Sequence, residues 1–136
     1  MAKFSARAAA LKHGWRSGLE QDVAQSLIDR EYKYRYEKLK LTWIKPETRH
    51  TYTPDFEVQT ASGKIIIIET KGRWLTADRH KMKYVLEQNP EHDIRMVFQN
   101  SRQKIAPGSP TNYGDWATKL EMQFADKDIP IEWLLE

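Results

Sequence analysis

The chain has 136 residues, no cysteine, and 22 Lys and Arg against 19 Asp and Glu, a formal net charge of +3. With 40% hydrophobic and 30% charged residues it has the composition of one globular domain, large enough to bury a core without disulfide or metal staples. The absence of cysteine excludes a disulfide scaffold, thiol catalysis, iron–sulfur ligation and cysteine-based zinc sites, and no apolar run exceeds four residues, so neither a membrane span nor a secretory leader is expected.

The charge is unevenly spread. Residues 1–16 hold Lys3, Arg7, Lys12 and Arg16 and no acid, a basic arm of +4, so residues 17–136 sum to −1. Such an arm suits nucleic-acid phosphates, or is simply a solvated terminus. Residues 17–30 predict a helix with Ser17 as N-cap and an apolar stripe of Leu19, Val23, Leu27 and Ile28. Residues 34–44 predict a strand, interrupted at Pro46. Residues 51–59 predict a second strand, 60–63 a turn, and 64–71 a strand covered on both faces, because four isoleucines run from 65 to 68. A helix over 77–88 stops at Asn89-Pro90, and residues 93–99 form another strand. Thr111 or Asn112 caps a short helix reaching Leu120, and residues 129–135 dock on the body. The sum is an α/β fold, a mixed sheet flanked by helices.

Chemistry concentrates in the hairpin of the second and third strands. Glu69 and Lys71 are two residues apart and project from one face of a strand. If the hairpin is centred on Ser62, Asp55 lies opposite Glu69, and two carboxylates converge with one ammonium. Two facing carboxylates resist joint ionisation unless a cation lies between them. Mg²⁺ suits them, as it binds through one or two carboxylates, water and phosphate. The Thr70 carbonyl is a further oxygen ligand, and Lys71 would orient a metal-bound water and offset charge on an attacked phosphate. An ordinary alternative is a strand start at Asp55 and a solvated Glu69–Lys71 pair. Glu20 is a candidate third carboxylate, although Ser17-x-x-Glu20 also matches a capping box, which spacing alone favours.

Taken together, Arg16-Ser17-Gly18-Leu19-Glu20, Thr51-Tyr52-Thr53-Pro54-Asp55-Phe56 and Glu69-Thr70-Lys71-Gly72 resemble the endonuclease I family of T-odd podophages, Holliday-junction resolvases of the PD-(D/E)xK nuclease superfamily. Asp93-Ile94-Arg95, Gly108-Ser109-Pro110-Thr111 and Phe124-Ala125-Asp126-Lys127 continue the likeness in order, from about Arg16 onward. The resemblance implies a restriction-endonuclease-like nuclease core over residues 17–136. It implies Asp55, Glu69 and Thr70 as metal ligands, Lys71 as the catalytic lysine and Glu20 as an additional active-site acid. Mg²⁺, with Mn²⁺ as a substitute, would be the cofactor. It also implies an intertwined homodimer that exchanges a bridging strand over about residues 43–52, where Pro46 and the polar residues 47–50 suit a segment that does not turn back on itself. Paired nicks in four-way or branched DNA would follow, in the cytoplasm of an infected bacterial host.

Shape and phosphate placement, rather than base reading, would select the junction. Residues 71–83 carry a local +4. Arg73, Arg79, Lys81, Arg102 and Lys104 join Lys3, Arg7, Lys12 and Arg16 as candidate DNA contacts. The likeness is loose before Arg16, the 60–64 loop is longer here, and weaker non-specific DNA affinity is expected because relatives continue past Glu136 into a basic tail. Other readings are a duplex-cutting endonuclease of the same superfamily, of restriction or transposition type, and a non-catalytic DNA- or RNA-binding module. His13, His50, His80 and His92 lack metal-ligand spacing, and the tyrosines at 32, 34 and 36 read as one packed sheet face rather than a base-stacking platform.

Overall fold

A computed structural model describes residues 15–45 and 48–136. Lys3, Arg7, Lys12, His13 and the interruption at Pro46 and Glu47 lie outside the described residues. Helix α1 spans Gly18–Asp29. Ser17 is its N-cap, its hydroxyl accepting from the Glu20 N–H at 3.1 Å. The buried stripe is Glu20, Val23, Ala24 and Leu27. Ile28 was expected in it but is 54% exposed. The inward face therefore begins with an acid.

Strands β1 (Tyr34–Tyr36), β2 (Leu41–Lys45), β3 (Thr48–Tyr52), β4 (Phe56–Gln59) and β5 (Ile65–Lys71) follow. Helix α2 (Thr76–Gln88) leads to β6 (Ile94–Phe98), then α3 (Tyr113–Lys119), β7 (Phe124–Asp126) and α4 (Ile131–Leu134). A mixed five-stranded sheet runs β1-β4-β5-β6-β7, and β2 and β3 form a separate two-stranded sheet. The β4–β5 and β1–β4 pairs are antiparallel, while β5–β6 and β6–β7 are parallel.

The expected strands over residues 34–44 and 51–59 each break in two, while those over 64–71 and 93–99 stay whole. The first ends at Glu37, whose φ of 49° turns the chain out of the strand. The second breaks at residues 53–55, where Pro54 has no N–H for a ladder. Around residues 43–52, where a bridging strand exchanged between two copies is expected, a single copy pairs its own two strands. β2 pairs with β3 from Leu41↔Tyr52 to Lys45↔Thr48 within one chain.

Alternation along β5 separates two cores. Ile67 packs with Trp74, Met82, Val85, Met96 and Phe98, and the β2–β3 sheet closes this layer through Leu41, Trp43 and Tyr52. Ile66 and Ile68 face Val23 and Leu27 of α1, with Phe56, Val97 and Trp133. Tyr32, Tyr34 and Tyr36 pack against this second layer, as the period-two reading anticipated. The C-terminal segment docks as expected: Leu134 and Glu136 carbonyls accept from the Ala61 and Ser62 N–H groups of the β4–β5 turn. There Gly63 takes φ +92°, a conformation glycine adopts without steric cost.

Candidate active site

The β4–β5 ladder runs from Gln59↔Ile65 to Phe56↔Ile68. Continued by one residue, the same register sets Asp55 opposite Glu69, as the centre at Ser62 requires. Continued by two, it sets Pro54 opposite Thr70. Even-numbered residues of β5 turn their N–H and C=O toward β4, and odd-numbered ones toward β6, as the Ile67 N–H bond to the Asp93 carbonyl shows. Pro54 carries no N–H to donate to the Thr70 carbonyl. The Thr70 N–H is taken instead by Asp55 Oδ2 at 2.9 Å, and the Thr70 hydroxyl donates to the same oxygen at 2.7 Å. Proline thus ends the ladder at the residue whose carbonyl is a candidate ligand, leaving that carbonyl without a donor from β4, while the Thr70 N–H and hydroxyl bond the Asp55 carboxylate.

Glu69 ends an otherwise apolar run and is 6% exposed. Burial, then the negative charge of Asp55, push its carboxyl well above the ordinary carboxylate range; the Lys71 charge and a hydrogen bond from Tyr52 act in the opposite direction. The Tyr52 hydroxyl donates to Glu69 Oε2, and burial followed by the Glu69 charge raises that phenol well above its ordinary value. From the other layer, α1 delivers Glu20, 4% exposed. Its carboxyl is also raised, chiefly by burial; the Tyr36 hydrogen bond opposes this and the Asp55 charge adds to it. The Tyr36 hydroxyl donates to Glu20 Oε2. Only half of a capping box forms: Ser17 caps the helix, while the Glu20 side chain turns to Tyr36 and the acidic cluster.

Sequence reasoning missed a further acid, Glu37. One ligand atom each from Glu20, Glu37 and Asp55 lie within 4.8 Å of one another. The Glu37 N–H donates to the Asp55 carbonyl at 3.1 Å, and its carboxylate pairs with Arg16 at 2.8 Å. No spacing rule points to it, because its placement follows from the positive φ that ends β1. Oxygen donors only, several of them buried acids with one nearby lysine, are the set a hard divalent cation takes. Glu20, Glu37 and Asp55 converge closely enough to share such an ion, and Glu69 stands beside Asp55.

The basic residues divide. Arg73, Arg102 and Lys104 are exposed, and Arg73 and Lys104 line an open groove beginning at Gly72, directly beyond Lys71. The Lys104 ammonium donates to the Pro110 carbonyl at 3.0 Å. Lys81 stands over the Tyr52 ring at 5.3 Å. Arg79 departs from expectation. It is 5% exposed, donates to the Trp74 carbonyl and the Thr76 hydroxyl, and stacks on Trp116. Its charge is used inside the fold rather than offered to phosphate. His50 stacks on Trp43 at 4.6 Å.

Among proteins of known identity, the family model described as phage endonuclease I matches residues 1–136. Endonuclease I of Escherichia phage T7 is 43% identical over 136 residues, covering all of this chain and 89% of that protein. Endodeoxyribonuclease 1 of Enterobacteria phage T3 is 45% identical over 122 residues, 90% of this chain and 78% of that protein.

Proposed function

The chain belongs to the phage endonuclease I family, and from that premise we propose that this DNA endonuclease is a Mg²⁺-dependent, structure-selective enzyme that resolves four-way and branched DNA as a homodimer. The observation that carries the reading is the buried Glu69 carboxylate held beside Asp55, two acids whose joint ionisation calls for a cation. A Mg²⁺ ion bound there, or Mn²⁺ in its place, would supply an acidified water and offset charge on the scissile phosphate. Asp55, fixed by two bonds from Thr70, and Glu69, fixed by Tyr52, would hold that ion. Glu20 faces the cluster from α1 and serves its second side. Lys71 acts from the same strand face as Glu69, steadying the attacking water or the phosphate oxygens. Arg73, Lys81, Arg102 and Lys104, with the basic arm, meet the DNA backbone.

Two nicks in one junction require two equivalent sites, which a two-fold dimer provides. Only residues 46 and 47 separate the paired Lys45 and Thr48. Opening there would let residues 15–45 of one chain dock on residues 48–136 of another through the contacts already seen within one chain, so that Glu20 and the Asp55–Glu69 pair of a site come from different copies. Short connections of this kind favour exchange. The place of action would be the cytoplasm of the infected bacterial host. Among the described residues no helix is long and apolar enough to cross a membrane.

A four-way junction and a matched linear duplex, each incubated with Mg²⁺ and with EDTA beside a Glu69→Ala variant, test the reading. Paired nicks in the junction alone, abolished by EDTA and by the substitution, are expected. Equal cutting of duplex would replace it with a restriction- or transposition-type endonuclease, and tight binding without cleavage would reduce it to a binding module.

A further inference from the structure

We propose that Tyr36 and Tyr52 are a matched pair of positioning residues, each phenol holding one oxygen of an acid so that the carboxylate is oriented before a divalent cation arrives. This rests on the metal-site reading of those acids. The two contacts share a design. Tyr52 donates to Glu69 Oε2 and Tyr36 donates to Glu20 Oε2.

A carboxylate held at one oxygen loses the rotation that would otherwise be frozen on metal binding, and its other oxygen stays available. A phenol suits the task better than a cation would. It is neutral, so it orients the acid without cancelling the charge that attracts the metal. Hydrogen-bond partners of metal ligands typically change metal affinity 10- to 100-fold when removed.

Packing fixes both hydroxyls in space. The Tyr52 residue is 3% exposed in the core, with the Lys81 ammonium above its ring. Tyr36 meets Trp15 edge-on at 4.2 Å and tilts against Phe56 at 5.4 Å. Its oxygen also accepts from the Arg16 N–H at 3.3 Å. These rings persist in phenylalanine, so Tyr→Phe removes the hydroxyl and little else.

Their position along the chain adds a second reason. Tyr36 and Glu20 both lie before residues 46–47, and Tyr52 and Glu69 both lie after them. Each half of the chain therefore carries its acid already held by its own tyrosine. A site assembled from two copies would receive two prepared half-sites, and would need no repositioning after exchange.

The test is titration of Mn²⁺ into DNA-free wild type, Tyr36→Phe and Tyr52→Phe, by calorimetry and by the electron paramagnetic resonance signal of free Mn²⁺. It is paired with junction binding in EDTA and with cleavage as a function of Mn²⁺. Each variant is expected to fold, to bind junction DNA as wild type does, and to lose roughly 10-fold or more in Mn²⁺ affinity. Its half-saturating Mn²⁺ in cleavage should rise in step, with turnover at saturating Mn²⁺ largely restored. A residue that merely supports the fold would lower turnover and stability without this split. If Tyr52→Phe does not fold, Tyr36→Phe alone carries the prediction for Glu20. Mn²⁺ affinities within twofold of wild type in folded variants would overturn the inference while leaving the metal-nuclease reading intact. A wild type that neither binds Mn²⁺ nor cuts DNA would overturn that reading and this inference together.

Discussion

Glu69 occupies a place where its anion is poorly supported, since burial and Asp55 both work against ionisation and only Lys71 and the Tyr52 hydroxyl work for it. The unfolded chain releases that proton near 4.5 and the folded chain holds it to higher pH. Stability contributed by the protonated form is therefore lost as pH rises above 4.5 through the higher folded value. A Glu69→Gln variant without metal should consequently melt above wild type, with a gap that widens between pH 5 and pH 8; calorimetric melting across that range checks it. Adding Mg²⁺ at about 100 times its dissociation constant should return on the order of 2.7 kcal/mol to wild type and little to the variant. Lys71 makes the opposite case. Lys71→Ala removes a positive charge beside the acids, so Mn²⁺ affinity should hold or rise while single-turnover cleavage falls about 10²- to 10³-fold. A loss of Mn²⁺ affinity in that variant would mean that Lys71 supports the fold of the site rather than its chemistry.

At the scale of elements, the β2–β3 sheet is held to α2 by side-chain amides rather than by a neighbouring strand. The Gln88 amide accepts from the Ile44 N–H and donates to the Ile44 carbonyl, and Asn89 donates to the Thr42 carbonyl at 3.1 Å and the Val85 carbonyl at 2.9 Å. Asn89→Ala strips a donor from two carbonyls, and should cost about 1–3 kcal/mol in urea unfolding. Amide hydrogen exchange should quicken first over residues 41–52. Helices α1, α2 and α3, the β5 strand and the 60–63 turn were legible from spacing and composition, because apolar periodicity and caps are local; the short α4 was read only as a docking segment. So was the register, since a turn centred on Ser62 sets Asp55 opposite Glu69. Not legible were the breaks at Glu37 and at residues 53–55. They depend on a left-handed φ and on a proline opposite Thr70, and they are where the site lies. Tyr36 read as sheet packing and Arg79 as a surface cation, because periodicity reports which way a side chain points but not what it bonds. The three-residue β7 is too short to carry a pattern.

Across the whole molecule, two linkages close the fold at the end of the sheet away from the acids. Arg95, 1% exposed, donates to both oxygens of Asp93 and of Glu136, and stacks on Trp133. These bonds hold the Asp93 and Glu136 carboxyls down at about 2. The stability they supply is present above the ordinary values of 3.8 and 4.5, and is lost as pH falls toward 2. Arg95→Ala should therefore destabilise the fold near neutral pH and progressively less in acid, read from urea unfolding at pH 7 and pH 3.

The central claim is that two copies of this chain assemble metal sites from exchanged halves and cut one junction twice. Co-expressed Glu20→Gln and Glu69→Gln chains, purified through two different affinity tags and given supercoiled plasmid bearing a cruciform, test it most directly. An exchanged heterodimer pairs both substitutions in one site and leaves the other wild type. Nicked circles are predicted, where wild type yields linear DNA and each parent homodimer yields neither. A heterodimer as inert as its parents would contradict the claim, because each site would then lie within one chain and lack one acid.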